Sequence, residues 1–303
     1  MAANQRSTDI VAVREGTIVA MARLGAHLSA AGGVSRAIAA AAALRCSALQ
    51  VFLRAPGRWA AAPLTAAEIA RAAASPGRAA VSGALLAHAP YLLNLASADD
   101  VLRQRSIAAL AEELERAGAL GIDAVVLHPG SARGGDRGDA EARCRAAVAE
   151  AIETAGAVRL LLEGQAGGGG QLGRTPEELA RLREAAVADR VGICLDTAHL
   201  WAAGYDLKAG GLQRVLDEVA EHWDRAAPDA LHINDTSVPL GSLRDRHAPP
   251  GEGLLGERFY RELLAHPALA ATPMVLEIPP GAGNALVRRA LSLLRRWQKQ
   301  SRV

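Results

Sequence analysis

The stretch RVGICLD, residues 190–196, is apolar between its first and last residues. A strand exposed on one face alternates polar and apolar side chains, whereas a continuous run suits a strand covered on both faces, as in a parallel sheet. Its closing residue, Asp196, puts a carboxylate at the strand's C-terminal end. The plan recurs in RLGAH (23–27), ALQVFL (48–53), GALLAHA (83–89), AVVLHPG (124–130), RLLLEG (159–164), ALHIND (230–235) and PMVLEIP (273–279). Helical patterns lie between the runs, such as VSRAIAAAAAL (34–44), VLRQRSIAALAEELERAGAL (101–120) and RTPEELARLREAAV (174–187). The last begins with a strong start signal: Thr175 as N-cap, Pro176 at N1 and Glu178 at N3.

Eight strand–helix units from Leu24 to the C-terminus fit a (β/α)8 TIM barrel, a fold that usually takes about 250 residues. A doubly wound open sheet is the competing α/β architecture. The strand ends decide between them: His27, His88, His128, Glu163, Asp196, His232 and Glu277 each close a run or directly follow one. Barrels build their sites at that C-terminal face, and an open-sheet crevice would have difficulty gathering so many polar groups. The expectation is one barrel domain over residues 21–303, with residues 1–20 a disordered, poorly packed extension, a polar leader that has no partner strand.

Half of the 303 residues are apolar, and 34 basic residues nearly balance 32 acidic ones, for a net charge of +2. That balance does not by itself announce nucleic-acid binding. No apolar run reaches membrane-spanning length, and the first residues lack the layout of a secretory signal. A soluble, cytoplasmic protein without a membrane partner is expected. Cys46, Cys144 and Cys194 are scattered, which suits small buried side chains in a reducing compartment better than a disulfide frame.

A single histidine is usually a hydrogen-bonded structural residue. Here six of eight lie at strand ends or in the loops after them, while His222 and His266 fall in helical segments. Glu163, Asp196, Asp245 and Glu277 join the cluster, and the Pro/Gly-rich segment LRDRHAPPGEG (243–253) adds Asp245 and His247 at strand-like spacing. Imidazole and carboxylate ligands without cysteine suit zinc, manganese or iron(II) in a catalytic site. The donors exceed twice what one zinc needs, so two or three metals sharing carboxylates are expected. Such clusters fit hydrolysis at phosphorus. The glycine-rich run EGQAGGGGQLG (163–173) lacks phosphate-loop order and reads as a flexible connection. Ser29 and a glycine pair in AHLSAAGGVSRAI (26–38) offer a weakly specific anion-binding helix start.

With GAHLSAAGG (25–33), HAPYLLNLAS (88–97), LHPGS (127–131), VGICLDTAHLWAAGYD (191–206), LHINDTSVPLGSLRDRHAPPGEGLLG (231–256) and VLEIP (275–279), the chain resembles the endonuclease IV family of apurinic/apyrimidinic endonucleases. The resemblance implies a xylose isomerase-like barrel with three zinc ions, some sites taking manganese. It implies His88 and His128 on the first zinc, with Glu163 bridging to the second. Asp196, His232 and Glu277 would complete the second, and His199, Asp245 and His247 would hold the third. It further implies a monomer acting on damaged double-stranded DNA, with Glu163 as the catalytic residue. Arg58, Tyr91 and Leu92 would contact the DNA. The chain departs from the family after the second strand, where FLRAPGRW (52–59) stands for a sequence like FTKNPRQW. It departs again at EGQAG (163–167) and at DTAH (196–199), and no departure removes a ligand. A sugar isomerase or epimerase of the same barrel class is the rival reading. It would use Glu163, Asp196, His232 and Glu277 but has no need of the other histidines. A lesion-binding protein without catalysis is the third, disfavoured because polar groups clustered without metal are costly.

Overall fold

The computed structural model describes residues 22–154, 156–184 and 187–301. The leader at 1–20 lies outside the described residues. Eight parallel strands close a barrel: β1 (Arg23–His27), β2 (Ala48–Phe52), β3 (Leu85–His88), β4 (Ala124–Leu127), β5 (Arg159–Glu163), β6 (Val191–Asp196), β7 (Ala230–His232) and β10 (Pro273–Leu276). Each neighbours the next in sequence, and β10 returns to β1, pairing Arg23 with Pro273 and Ala26 with Leu276. The expected barrel, not an open sheet, is what forms. Between β7 and β10 a short antiparallel ladder joins β8 (Asp235–Thr236) to β9 (His247–Ala248).

The helices are α1 (Val34–Ala43), α2 (Ala66–Ala73), α3 (Asp100–Ala119), α4 (Arg137–Thr154), α5 (Pro176–Ala180), α6 (Thr197–Ala203), α7 (Leu212–Trp223), α8 (Gly256–Ala265) and α9 (Ala285–Gln300). Thr175 caps α5 as its sequence foretells, accepting from the Glu178 N–H at 3.1 Å, but the helix stops at Ala180 instead of running on through the alanine-rich segment.

The period-2 alternation of strands does the positioning. Ala48, Leu86, Val126, Leu161, Cys194, Ala230 and Val275 pack together in a cluster apart from the main core. Their strand neighbours Leu49, Leu85, Val125, Leu160, Ile193, Leu231 and Met274 join the main core with the helices. Two residues beyond each member of the first cluster, on the same side, come Gln50, His88, His128, Glu163, Asp196, His232 and Glu277. The barrel's packed inner layer thus has a polar layer directly above it. Gly25 is required where β1 meets β2, since a Cβ there would lie 1.8 Å from the Ala48 carbonyl oxygen.

The run at 230–235 ends as a strand at His232. Asp235 is captured instead by backbone N–H groups of Thr236, Gly251 and Leu255, at 2.8, 2.9 and 2.9 Å. This fully buried carboxylate ties the segment carrying Asp245 and His247 to the barrel. The glycine-rich run, read as a flexible connection, is instead a turn held against the loop after β4: Ser131 Oγ donates to the Gly169 carbonyl at 2.7 Å.

Candidate metal centre

Three overlapping groups of donors meet at the C-terminal mouth. His88, His128 and Glu163 form one, Glu163, Asp196, His232 and Glu277 a second, and Asp196, His199 and His247 a third. Within each group, one donor atom per residue lies within 4.8 Å of all the others. Glu163 is fully buried and shared. Its Oε2 lies 3.0 Å from Nε2 of both His88 and His128, and its Oε1 lies 3.0 Å from His232 Nδ1 and 3.5 Å from His199 Nδ1.

Asp245 flanks the third group from the exposed rim, 3.2 Å from His199 Nε2 and 3.1 Å from His247 Nε2. Asp196, expected in the second site, lies between the second and third groups. Its Oδ2 is 3.9 Å from His232 Nδ1 and 3.5 Å from His247 Nε2, so it touches both the second and third groups. His27, also a strand-end residue, lies outside all three groups, with Nδ1 3.3 Å from Glu277 Oε1. His222 and His266 are likewise outside them, on α7 and just after α8.

The donor set suits divalent cations. Carboxylates taken this far from water need cationic partners, and here the available partners are imidazoles. Burial would raise the Glu163 carboxyl pKa, but His128 and His232 hold it well below the usual carboxylate range. Glu277 is likewise depressed: His232 and His27 outweigh its burial. His247 Nε2 is buried among these acceptors without a well-formed hydrogen bond. Such an atom fits a donor aimed at a shared ion.

The imidazoles of the third group show the same competition. Burial works against charging His199, yet Asp196 and Asp245 push its pKa up to about 10. The same carboxylates overcome burial at His247 and push it up to about 9. Near neutral pH, below both values, each ring is protonated when no cation is present. A ligating ring must be neutral, so loading divalent ions should release about two protons from this pair. Affinity should fall as pH drops. Indicator dye in weakly buffered solution would record the release; ion uptake with no acidification would contradict this account.

Gln50 and Asn234 are missing from the sequence-level site and belong beside it. Asn234 Nδ2 donates to Asp196 Oδ2 at 2.6 Å, and its Oδ1 accepts from the Glu277 N–H at 2.8 Å. Gln50 bridges His232 and Glu277. The available signal was a lone amide in the otherwise apolar strand ALQVF.

Tyr91, 58% exposed, stands over the mouth, its ring centroid 5.4 Å from that of His88 and 5.7 Å from that of His128. Leu92 is half-buried beside it and Arg58 is exposed. A cavity of about 710 Å³ opens next to the donor groups, lined by His27, Phe52, Arg58, Tyr91 and Glu277 among others. Its loop wall is anchored by buried Arg54, which pairs with Glu112 at 2.9 Å and with buried Glu113 on α3.

A closed parallel barrel with this mouth is a xylose isomerase-like TIM barrel, and the model of that family matches residues 37–297. Within this class, a "Probable endonuclease 4" of Nitratidesulfovibrio vulgaris is 41% identical over 280 residues, covering 91% of this chain and 99% of the relative. The solved endonuclease IV of Thermus thermophilus is 37% identical with a TM-score of 0.78, covering 92% of this chain and 99% of that one. This chain belongs to the endonuclease IV family. A D-tagatose 3-epimerase-like protein, 17% identical with a TM-score of 0.67 over 92% of this chain and 98% of its own, shares the fold alone.

Proposed function

We propose that this protein is a zinc-dependent apurinic/apyrimidinic endonuclease of base excision repair, hydrolysing the DNA phosphodiester on the 5′ side of an abasic site. One observation carries the reading: the buried carboxylate of Glu163 faces imidazoles of all three donor groups. Kinship with proteins named endonuclease 4 and endonuclease IV supports it. His88 and His128 would hold one zinc, with Glu163 bridging to a second held by Asp196, His232 and Glu277. His199, Asp245 and His247 would hold a third. Manganese suits the same donors and would replace zinc in part. Bound ions would supply an activated water and positive charge for the phosphate and the departing oxygen.

In the reaction the water oxygen joins phosphorus and the P–O3′ bond breaks. The products are a 3′-hydroxyl end and a 5′-deoxyribose phosphate. Glu163, kept ionised by its imidazole neighbours, orients the attacking water. The abasic nucleotide must leave the helix to reach this mouth, which favours a site with no stacked base. Tyr91 and Leu92 hold the duplex open, and Arg58 meets backbone phosphate. The working form is a cytoplasmic monomer whose nuclease domain spans residues 21–303, with damaged duplex DNA as partner.

Replacing Tyr91 and Leu92 together with alanine should weaken cleavage of abasic duplex roughly tenfold, in line with the loss of one or two aromatic or apolar contacts. Metal content should stay as in the wild type, because neither side chain is a donor. Undiminished cleavage would remove both from the DNA interface. The reading as a whole is tested by elemental analysis beside cleavage of an abasic oligonucleotide, with ketose and aldose sugars as control substrates. Single-metal protein that isomerises sugars and leaves the abasic strand intact would overturn it.

A further inference from the structure

Gln50 is fully buried on β2, directly above the layer of small and apolar side chains that fills the barrel. Its amide makes two contacts to the second donor group. Nε2 donates to Glu277 Oε1 at 2.6 Å, and Oε1 lies 2.9 Å from His232 Nε2. The orientation of the amide follows from chemistry. An ionised carboxylate only accepts hydrogen bonds, so the nitrogen of Gln50 must face Glu277. Its oxygen then faces His232, and that oxygen can only accept. His232 Nε2 must therefore carry a hydrogen.

The consequence is a choice of donor atoms. With Nε2 occupied as N–H, only Nδ1 of His232 can ligate. That atom is 3.0 Å from Glu163 Oε1 and 3.1 Å from Glu277 Oε2. With Oε1 of Glu277 engaged by Gln50, Oε2 is the oxygen turned toward the group. We propose that Gln50 is a positioning residue that selects Nδ1 of His232 and Oε2 of Glu277 as the atoms presented to the cation. This deepens the reading of Glu163, Asp196, His232 and Glu277 as a cation-binding set, and rests on it. Partners behind metal ligands fix ring orientation in this way, and their loss typically lowers metal affinity about 10–100-fold.

Zinc-loaded protein with ¹⁵N-labelled histidine provides the test, with the His232 signals assigned by their loss in His232→Gln. Long-range ¹H–¹⁵N spectra should show His232 with a protonated Nε2 and a zinc-shifted Nδ1. Gln50→Met, close in shape but unable to bond either partner, should lose that single tautomer and bind zinc about 10–100-fold more weakly in chelator competition. Gln50→Glu retains an acceptor for His232 while opposing Glu277. It should keep the Nε2–H signature while zinc affinity falls. His232 ligating through Nε2, or Gln50→Met with unchanged spectrum and affinity, would overturn this inference while leaving the cation-binding set intact. Wild-type protein that takes up no zinc would overturn both. The wild-type spectrum needs no variant to fold, so the tautomer is decided even if Gln50→Met is unstable.

Discussion

Glu163→Gln is expected to reduce abasic-site cleavage on the order of a thousandfold, the upper range for losing one essential electrostatic partner in an active site. The change keeps the side chain's shape and removes its charge. Glu163 is fully buried, and both of its oxygens are engaged, Oε2 with His88 and His128 and Oε1 with His232 and His199. An amide would offer one acceptor and one donor where two acceptors are needed. Its N–H₂ would face imidazole nitrogens or a cation on one side. Metal content should fall along with activity, because a bridging carboxylate belongs to two sites at once. Elemental analysis, cleavage kinetics and a thermal melt on the same preparation separate these effects. Full metal content and near wild-type cleavage would show that the bridge is dispensable.

Replacing Asp245 and His247 together with alanine is the second large effect. Their two contacts to the barrel's imidazoles and carboxylates run through His199 and Asp196. Neither residue belongs to the packed core: the Asp245 side chain is 47% exposed and that of His247 18% exposed. The fold should therefore survive, while metal content drops from the proposed three per chain toward about two by coordination arithmetic. Cleavage should fall about a hundredfold or more, since the positive charge that a third ion would supply to the departing oxygen is lost with the residues that would hold it. Sugar isomerisation on the same barrel would need only the Glu163, Asp196, His232 and Glu277 group and would tolerate the change. Retention of all metal and all activity would argue that the pair is ordinary loop surface.

The strands are legible in the sequence because a continuous apolar run of strand length has few other uses in an α/β chain. RLGAH matches β1 to the residue, and RVGICLD matches β6 apart from Arg190. The run at 230–235 is harder, since nothing local reveals that Asp235 will be claimed by backbone groups sixteen and twenty residues later. The cluster of candidate donors is legible because histidine and carboxylates recur at one place in a repeating plan, although that plan brings in His27 as well. Their expected grouping comes from the family resemblance, not from spacing. That Asp196 faces both the second and third groups depends on where β6 and the β9 segment meet, which spacing does not encode. Gln50 escapes for a related reason. A lone amide in a strand announces a buried hydrogen bond, but its partners sit on β7 and after β10, 182 and 227 residues away.

The capture of Asp235 bears on when the rim is assembled. The segment bearing Asp245 and His247 is held by Asp235, by the ladder pairing Thr236 with His247, and by Leu243 N–H on the Ala202 carbonyl at 2.9 Å. None of these bonds involves DNA. Ordering such a segment during binding would subtract roughly 1–2 kcal/mol of chain entropy per residue from affinity. Here that cost belongs to folding, so this segment need not be ordered when a ligand reaches the mouth.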